Sequence, residues 1–192
     1  SWKKHGIKRH YLTLSIEYQS IAIPIYWVDL AKLGISSTKE RKRMFRRVFK
    51  HFDLRGKVLL ADREYIGVEW FKCLTDNGVD FTIRLRMKNY HKEISQCEGK
   101  SYQELIDKAM RSKCAYKVVG KPVKVDGSDY TFVVAKYYDH NGKKCILLLL
   151  SSLNETPASI AAGYLRRWKI ECCFKHLKSN GFDLEQVNLK GK

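Results

Sequence analysis

The fold class follows from residues 57–85, whose sequence is KVLLADREYIGVEWFKCLTDNGVDFTIRL. The apolar run at 57–62 has the composition of a buried parallel strand and ends on the carboxylate of Asp62. A helix is predicted over 68–76, where an Asn-Gly pair ends it, and the next strand is predicted over 79–85. The strand–helix–strand order predicts an α/β layer.

Asp62 lies at the carboxyl end of the first of these strands, which is where α/β proteins assemble their sites. One interpretation of this carboxylate is a metal ligand. The other is an N-cap for the segment that follows. Its chain neighbours Arg63 and Glu64 are also charged, and the sequence does not show which way they point. Asp62 is therefore a candidate site residue with a structural alternative.

Two strands and a basic helix are predicted before this layer. Residues 10–18 and 21–28 are rich in strand formers, and a Gln-Ser turn joins them into an antiparallel hairpin. The helix predicted over 39–52 has one apolar face and one basic face on which Glu40 is the only acid. The basic face is either ordinary solvated surface or a phosphate-binding ridge. Its cations are Arg41, Lys42, Arg43, Arg46, Arg47 and Lys50.

The segment after the α/β layer, from residue 87 onward, differs in composition and hydrophobic pattern. It combines scattered cations with alternating runs at 114–119, 123–125 and 130–138, which Gly and Asn-Gly turns separate. These runs predict a β-rich inserted subdomain, and a buried strand over 145–151 leads back to the core. A chain of 192 residues can bury one core with a smaller inserted unit. The predicted division is core at 1–86, insertion at 87–144 and core again at 145–192.

The charge balance points to a polyanionic partner. The chain has 37 Lys and Arg against 20 Asp and Glu, which gives a net charge of +17. Nucleic acid is the first candidate partner and an anionic membrane surface the second. No apolar run approaches the roughly 18 residues that a membrane span needs. The 6 cysteines show no CxxC spacing, which is typical of reduced thiols in a cytosolic protein.

A helix predicted to begin near Pro157 carries four functional side chains on one side. At about 100° per residue, they fall within an arc of about 60°. A carboxylate between cations suits a site where a metal ion meets a phosphodiester. The alternative is a solvated face on which two of the four form an i,i+4 ion pair. The four residues are Tyr164, Arg167, Glu171 and Lys178.

The spacing Tyr164-x2-Arg167-x3-Glu171-x6-Lys178 matches the Tyr–Arg–Glu–Lys signature of a large family of bacterial insertion-sequence transposases of the DDE type. The residues around this signature and around Asp62 also resemble that family. The resemblance implies that Asp62 is the second catalytic Asp and that Glu171 is the third acidic metal ligand. It also implies that Tyr164, Arg167 and Lys178 hold the phosphates of the transposon end.

The fold implied by the resemblance is α/β and RNase H-like (retroviral-integrase-like), a mixed sheet flanked by helices with a β-rich inserted subdomain. The implied cofactor is Mg²⁺ or Mn²⁺ in a two-metal site, where acids from separated segments hold ions about 3.5–4 Å apart. Hard oxygen ligands suit these ions better than the thiols of this chain suit zinc. The implied reaction is cleavage at transposon ends, followed by strand transfer to target DNA.

The partners that the resemblance implies are transposon-end DNA and target DNA, with a homodimer in the active complex and no membrane. The implied location is the bacterial cytoplasm, in association with DNA. In the resembling family the first Asp lies on a strand shortly before the segment that matches residues 2–10, and the early acids Glu17 and Asp29 do not match that position. We therefore expect a truncated catalytic domain that lacks the first Asp and is inactive, or nearly so, by itself.

Two other functions fit the same residues. One is a non-catalytic basic nucleic-acid-binding module, in which the acids are helix caps and surface ion pairs. The other is a related RNase H-like nuclease that cuts DNA without strand transfer. Replacing Glu171 separates the first from a transposase, and an assay that joins a pre-cleaved end separates the second.

Overall fold

The computed structural model describes residues 2–4 and 7–178, with side chains from residue 10 to residue 177. The chain forms two compact units: one takes the residues up to Asp53 and from Arg166 onward, and the other is Leu54–Leu165. A one-turn 3₁₀ helix, Arg63–Tyr65, follows the fifth strand. The described strands and α-helices are, in chain order, β1 (Trp2–Lys4), β2 (Ile7–Arg9), β3 (Tyr11–Tyr18), β4 (Ile21–Asp29), α1 (Thr38–Val48), β5 (Val58–Ala61), α2 (Val68–Thr75), β6 (Asp80–Arg84), α3 (His91–Gln96), α4 (Tyr102–Arg111), β7 (Lys117–Val125), β8 (Ser128–Tyr138), β9 (Lys144–Ser151), α5 (Pro157–Leu165) and α6 (Trp168–Lys178).

The unit Leu54–Leu165 is built on a five-stranded sheet in the order β5-β6-β9-β8-β7. β5 and β6 are parallel, with Val58 opposite Asp80 and Ala61 opposite Ile83, and the remaining pairs are antiparallel. α2 is the crossover helix that the parallel strands β5 and β6 need, and α3, α4 and α5 contact β7 or β8. The mixed α/β sheet confirms the predicted fold class and is compatible with an RNase H-like fold.

The α/β layer forms where the sequence predicts it. α2 buries Trp70, Phe71 and Leu74 completely, at the i, i+1, i+4 spacing of one helix face. The Phe71 ring stacks on Phe81 of β6, with ring centroids 4.7 Å apart. Burying each of these side chains contributes about 1.5–3 kcal/mol to folding. The chain leaves the helix through Gly78, whose φ of 68° is left-handed and favours glycine.

Strand β7 contains residues from two of the alternating runs in the predicted insertion. The runs predicted at 114–119 and 123–125 are a single strand, Lys117–Val125, which continues through Gly120 and Pro122. β7 lies at the edge of the sheet. Proline has no backbone N–H to donate, and on an edge strand it can occupy a position that faces solvent and needs no hydrogen bond to a neighbouring strand. The proline therefore does not interrupt the strand, and the two alternating runs belong to one strand.

Gly120 is required by a close approach between β7 and its neighbours. A Cβ at this position would lie 2.5 Å from the Phe132 carbonyl oxygen of β8 and 2.9 Å from Cγ of Pro157 in α5. Because a backbone atom cannot yield as a flexible side chain can, we expect Gly120→Ala to destabilise the protein by about 1–3 kcal/mol in urea unfolding. Gly163→Ala is the matched control, since its Cβ would enter open space within α5 and should stabilise by about 0.5–1 kcal/mol. Equal stabilities of Gly120→Ala and the wild type would contradict the packing argument.

Two lysines of the β7–β8 ladder are buried and act inside the fold. Lys121 Nζ donates to the carbonyl oxygens of Cys97 and Glu98 at the end of α3, at 2.9 and 3.2 Å. Lys136 Nζ donates to the Ser112 carbonyl oxygen after α4, at 2.8 Å. Cations at helix carboxyl ends are favourable, because the unpaired carbonyls there carry partial negative charge. These two positive charges are therefore part of the fold rather than of an external anion-binding surface.

In the other unit, β3 and β4 form the predicted antiparallel hairpin, with a register shift between Leu14 and Ser15, and α6 packs on it. β1 and β2 form a second antiparallel pair. α1 begins with a capping box between Ser37 and Glu40 and buries an apolar face, as predicted, but it ends at Val48. Arg41 is buried as well, 4% exposed, so its predicted place on the exposed basic face was wrong.

The helix predicted to run on from Pro157 is interrupted. α5 ends at Leu165 and α6 begins at Trp168, with Arg166 and Arg167 in a turn between them. The N–H groups of Lys169 and Ile170 bond the carbonyls of Arg166 and Arg167, three residues back. The residues on either side of this turn belong to different compact units. The local sequence contains no helix breaker, so we attribute the end of α5 to tertiary packing and not to helix propensity.

The interruption also corrects the predicted stripe of four residues, which does not lie on one continuous helix. Tyr164 belongs to α5, Glu171 and Lys178 to α6, and Arg167 to the turn. The predicted division into 1–86, 87–144 and 145–192 stays a prediction. The strands within 87–144, β7 and β8, continue the same sheet as β5, β6 and β9.

Candidate active site

Asp62 directly follows β5, at the carboxyl end of a parallel strand pair, as the sequence predicts. Its Oδ1 accepts a hydrogen bond from the N–H of Arg63 at 2.7 Å, and its backbone carbonyl accepts from Tyr65 at 3.0 Å. The residue is thus the N-cap of the 3₁₀ helix, and its side chain is half-buried. A capping carboxylate keeps further lone pairs for a second partner. The cap and the metal-ligand interpretations are therefore compatible.

Tyr164 is buried rather than exposed to a ligand, with a relative exposure of 4%. Its hydroxyl donates to the carbonyl oxygen of Ala61, 3.2 Å away and 103 residues earlier in the chain. The aromatic ring packs in a core cluster with Ile160 and Ala161 of α5 and with residues of β8 and β9. This tyrosine therefore fixes the last residue of β5, which is the residue before Asp62.

Sequence reasoning missed this contact, although a signal for the burial of Tyr164 was present. Ile160, Ala161 and Tyr164 have the i, i+1, i+4 spacing of an apolar helix face. That spacing places the ring in a core, and a buried tyrosine hydroxyl needs a hydrogen-bond partner. The identity of the partner, the Ala61 carbonyl, follows only from the folded structure.

The hydroxyl of Tyr164 provides a direct test of this contact. Tyr164→Phe keeps the buried ring and leaves the Ala61 carbonyl without this donor, so we expect a loss of about 1–2 kcal/mol in urea unfolding. Tyr116→Phe is the control, since that ring is 49% exposed and its hydroxyl should contribute little. Tyr164→Phe with the stability of the wild type would show that the hydroxyl does not hold the end of β5.

Glu171 lies in the first turn of α6, and its Oε1 accepts from Arg167 at a distance of 2.5 Å. The Arg167 side chain is 17% exposed and that of Glu171 is 40% exposed. The i,i+4 ion pair that the sequence suggests as an alternative is thus present. An anion in the first turn is also favourable to the helix, because unpaired N–H groups carry partial positive charge there. The structure accordingly gives Glu171 an ion-pair partner and leaves part of its side chain open to solvent.

Lys178 is the last described residue of α6, and its side chain lies outside the described part of the chain. The two early acids both have partners within their own compact unit. Glu17 accepts from the backbone N–H of Ser20 at 3.0 Å and forms an ion pair with Arg166. Asp29 Oδ1 accepts from the N–H of Ala31 at 2.9 Å. Both acids thus have structural roles within the hairpin unit.

The donor chemistry of the predicted metal ligands fits a hard divalent cation. Asp62 and Glu171 supply carboxylate oxygens, which Mg²⁺ and Mn²⁺ prefer. Asp62 belongs to the unit Leu54–Leu165 and Glu171 to the other unit. Among residues 10–177, no three His, Cys, Asp or Glu side chains cluster closely enough to hold a metal ion. The metal-ligand roles of the two acids thus stay predictions.

Comparison with known proteins places the chain in a family. The model of the Transposase DDE domain family matches residues 3–192. No match was found among curated proteins. Within the part of the chain that the structure describes, no helix is both long and apolar enough to cross a membrane.

Members of this family act on DNA in the transposition of mobile elements, and DDE transposases generally use divalent metal ions. The match begins at residue 3 and extends over the whole remainder of the chain, including Asp62 and the segment from Tyr164 to Lys178. On this match, the chain belongs to the DDE transposase domain family.

Proposed function

We propose that this chain is the catalytic domain of an insertion-sequence transposase with the Tyr–Arg–Glu–Lys signature. In this proposal the transposase to which the domain belongs cleaves phosphodiesters at transposon ends and joins the freed 3′-hydroxyl to target DNA. The observation that carries the proposal is the hydrogen bond from Tyr164 to Ala61. It ties one residue of the signature to the strand end that carries Asp62, although the two segments are 103 residues apart in the chain.

Asp62 and Glu171 are the proposed metal ligands. When bound, Mg²⁺ or Mn²⁺ supplies Lewis-acid stabilisation of the attacking and leaving oxygens. In cleavage, a water oxygen forms a bond to phosphorus, the bond to the 3′ oxygen breaks, and that oxygen leaves as a hydroxyl. In joining, the same 3′-hydroxyl attacks a target phosphodiester and displaces another 3′ oxygen, so no external energy source is needed.

Arg167 and Lys178 are proposed to bind phosphates of the transposon end. A guanidinium has five N–H donors in a planar fork, which suits the side chain of Arg167 to phosphate oxygens as well as to the carboxylate of Glu171. The contact of Tyr164 with Ala61 supports a positioning role for this tyrosine. The phosphate contact that the resemblance implies would require its hydroxyl to leave that carbonyl when DNA binds.

Other parts of the proposal rest on the resemblance. They are the division into core segments 1–86 and 145–192 around an insertion at 87–144, a homodimer on paired transposon ends, and a place of action on bacterial DNA in the cytoplasm. The net charge of +17 supports a DNA partner, because the field of a basic protein concentrates a polyanion at its surface.

Backbone cleavage by bound Fe²⁺ tests the metal site without requiring catalytic turnover. Fe²⁺ can occupy a site of oxygen ligands, and with ascorbate and hydrogen peroxide it cuts the polypeptide beside that site. The proposal predicts cuts near both Asp62 and Glu171, suppressed by excess Mg²⁺. If the cuts are absent at either residue, or if Mg²⁺ does not suppress them, the shared metal site is refuted.

A non-catalytic nucleic-acid-binding module is the second candidate function. The exposed cations of α1 and the lack of a three-acid cluster among residues 10–177 favour it. Such a module would bind DNA without Mg²⁺-dependent cleavage and would keep its function when Glu171 is replaced by Gln. The Fe²⁺ experiment separates the two candidates, because a binding module has no reason to bind a metal at Asp62 and at Glu171.

A further inference from the structure

α1 carries five exposed cations on one side. At about 100° per residue, their positions span roughly 100° of the helix circumference, with the last one in the turn that follows. We call this set the basic stripe. It consists of Lys39, Arg43, Arg46, Arg47 and Lys50.

No side chain of the basic stripe has an ion-pair or hydrogen-bond partner among residues 10–177. The only acid of α1, Glu40, is engaged elsewhere: it closes the capping box and accepts from Lys32 at 2.7 Å. The hydrogen bond from Lys32 lowers the pKa of Glu40 to about 2, so this carboxylate stays committed to the start of the helix. Within the described part of the chain, no acidic side chain therefore neutralises the stripe.

Helix stability does not account for the stripe. Cations in the last turn, such as Arg46 and Arg47, do favour a helix, but Lys39 lies in the first turn, where a cation is unfavourable. Like charges at i,i+4, as in Lys39 with Arg43 and Arg43 with Arg47, repel each other along the surface. The helix tolerates this repulsion because its other face is anchored by buried apolar residues, Met44, Phe45 and Val48.

The dimensions of the stripe suit a nucleic-acid backbone. From residue 39 to residue 50 a helical segment extends about 16 Å. A duplex carries about five phosphates of one strand over that length, at about 3.4 Å per phosphate along the axis. The stripe therefore offers about one cation per phosphate. Long, flexible Lys and Arg side chains can adjust to the remaining mismatch.

We propose that the basic stripe of α1 binds the phosphate backbone of duplex DNA independently of base sequence. This inference rests on the proposed function for its choice of partner. It adds a DNA contact in a segment that carries neither the candidate metal ligands nor the signature residues. The contact holds the duplex by charge, so its strength depends on salt and not on the transposon-end sequence.

The test measures binding of the chain to a duplex of arbitrary sequence, about 25 base pairs long, by fluorescence anisotropy over a series of salt concentrations. The stripe variant combines Arg43→Gln, Arg47→Gln and Lys50→Gln, because Gln has a helix propensity close to that of Arg and Lys. The control variant combines Lys108→Gln, Lys113→Gln and Lys143→Gln, which are exposed residues of the other unit. Both variants lower the net charge by three, so the control accounts for the loss of charge itself and the comparison tests its location.

We expect the stripe variant to bind at least about tenfold more weakly, and the slope of log Kd against log salt to fall by about 3. The control variant should show a much smaller loss of affinity and a much smaller change in the salt dependence. An equal loss in the two triple variants would overturn the proposal, because charge alone would then explain binding. A loss confined to single-stranded DNA or to duplex RNA, measured in parallel, would also overturn it. A failed Fe²⁺ experiment leaves this result unaffected, so the two proposals can fail separately.

Discussion

Replacing Asp62 with Asn is expected to abolish metal binding while leaving the fold intact. Asn caps a helix about as well as Asp does, so the hydrogen bond to the Arg63 N–H is retained and the thermal midpoint should hardly change. The substitution removes the negative charge that a divalent ion requires. In the Asp62→Asn variant, the Fe²⁺-induced cuts near residue 62 and near Glu171 should both disappear.

In an assay of transposon-end cleavage, Asp62→Asn should lower the rate by at least about 10³-fold. A metal contributes several kcal/mol to the stabilisation of the transition state, and each 1.4 kcal/mol is about tenfold in rate. Asp107→Asn is the control, because this half-buried acid of α4 interacts with Gln103 and Arg111 of its own helix. If the Asp62→Asn variant cleaves transposon ends at the wild-type rate, the metal-ligand role is refuted and Asp62 acts only as a helix cap.

The parts of the fold that the sequence predicted are those with local signals. The crossover from β5 through α2 to β6 is marked by an apolar run, a helix of period 3.6 and an Asn-Gly ending, all within 29 residues. The hairpin of β3 and β4 is marked in the same way, by strand formers on both sides of a short turn. Each signal lies within the element that it specifies, and each of these predictions is confirmed.

The features that the sequence did not predict depend on tertiary context. Nothing in the residues around Arg166 and Arg167 breaks a helix, yet the chain turns there, where it passes from one compact unit to the other. Pro122 suggests an interrupted strand by itself, and only the edge position of β7 makes it acceptable. Arg41 has the spacing of an exposed cation, but Ser36 accepts two of its hydrogen bonds in a buried position.

The candidate site shows the same limit. Local sequence was sufficient to place Asp62 at a strand end and to suggest the pair of Arg167 and Glu171. The hydrogen bond of Tyr164 with Ala61 joins residues 103 positions apart, and no periodicity within either segment specifies it. The sequence therefore identifies candidate site residues, and the folded structure shows which of their contacts join distant parts of the chain.

Glu171→Gln is expected to have the other large effect, and it separates the ion-pair interpretation of this residue from the metal-ligand interpretation. An i,i+4 pair that is partly exposed contributes only about 0.3–0.5 kcal/mol, so Gln should leave the unfolding free energy nearly unchanged. If Glu171 is a metal ligand, the same variant should lose the Fe²⁺-induced cuts. It should also lower transposon-end cleavage at least about 10³-fold.

Arg167→Gln is the matched partner variant, because it breaks the same ion pair and keeps the carboxylate. The two variants should show opposite patterns. Glu171→Gln should lose metal binding and keep its affinity for transposon-end DNA, since removing a negative charge does not weaken binding to a polyanion. Arg167→Gln should keep the Fe²⁺-induced cuts and bind that DNA more weakly. If both variants show the same losses in both measurements, the pair acts as one structural unit and the separate roles proposed for Glu171 and Arg167 are wrong.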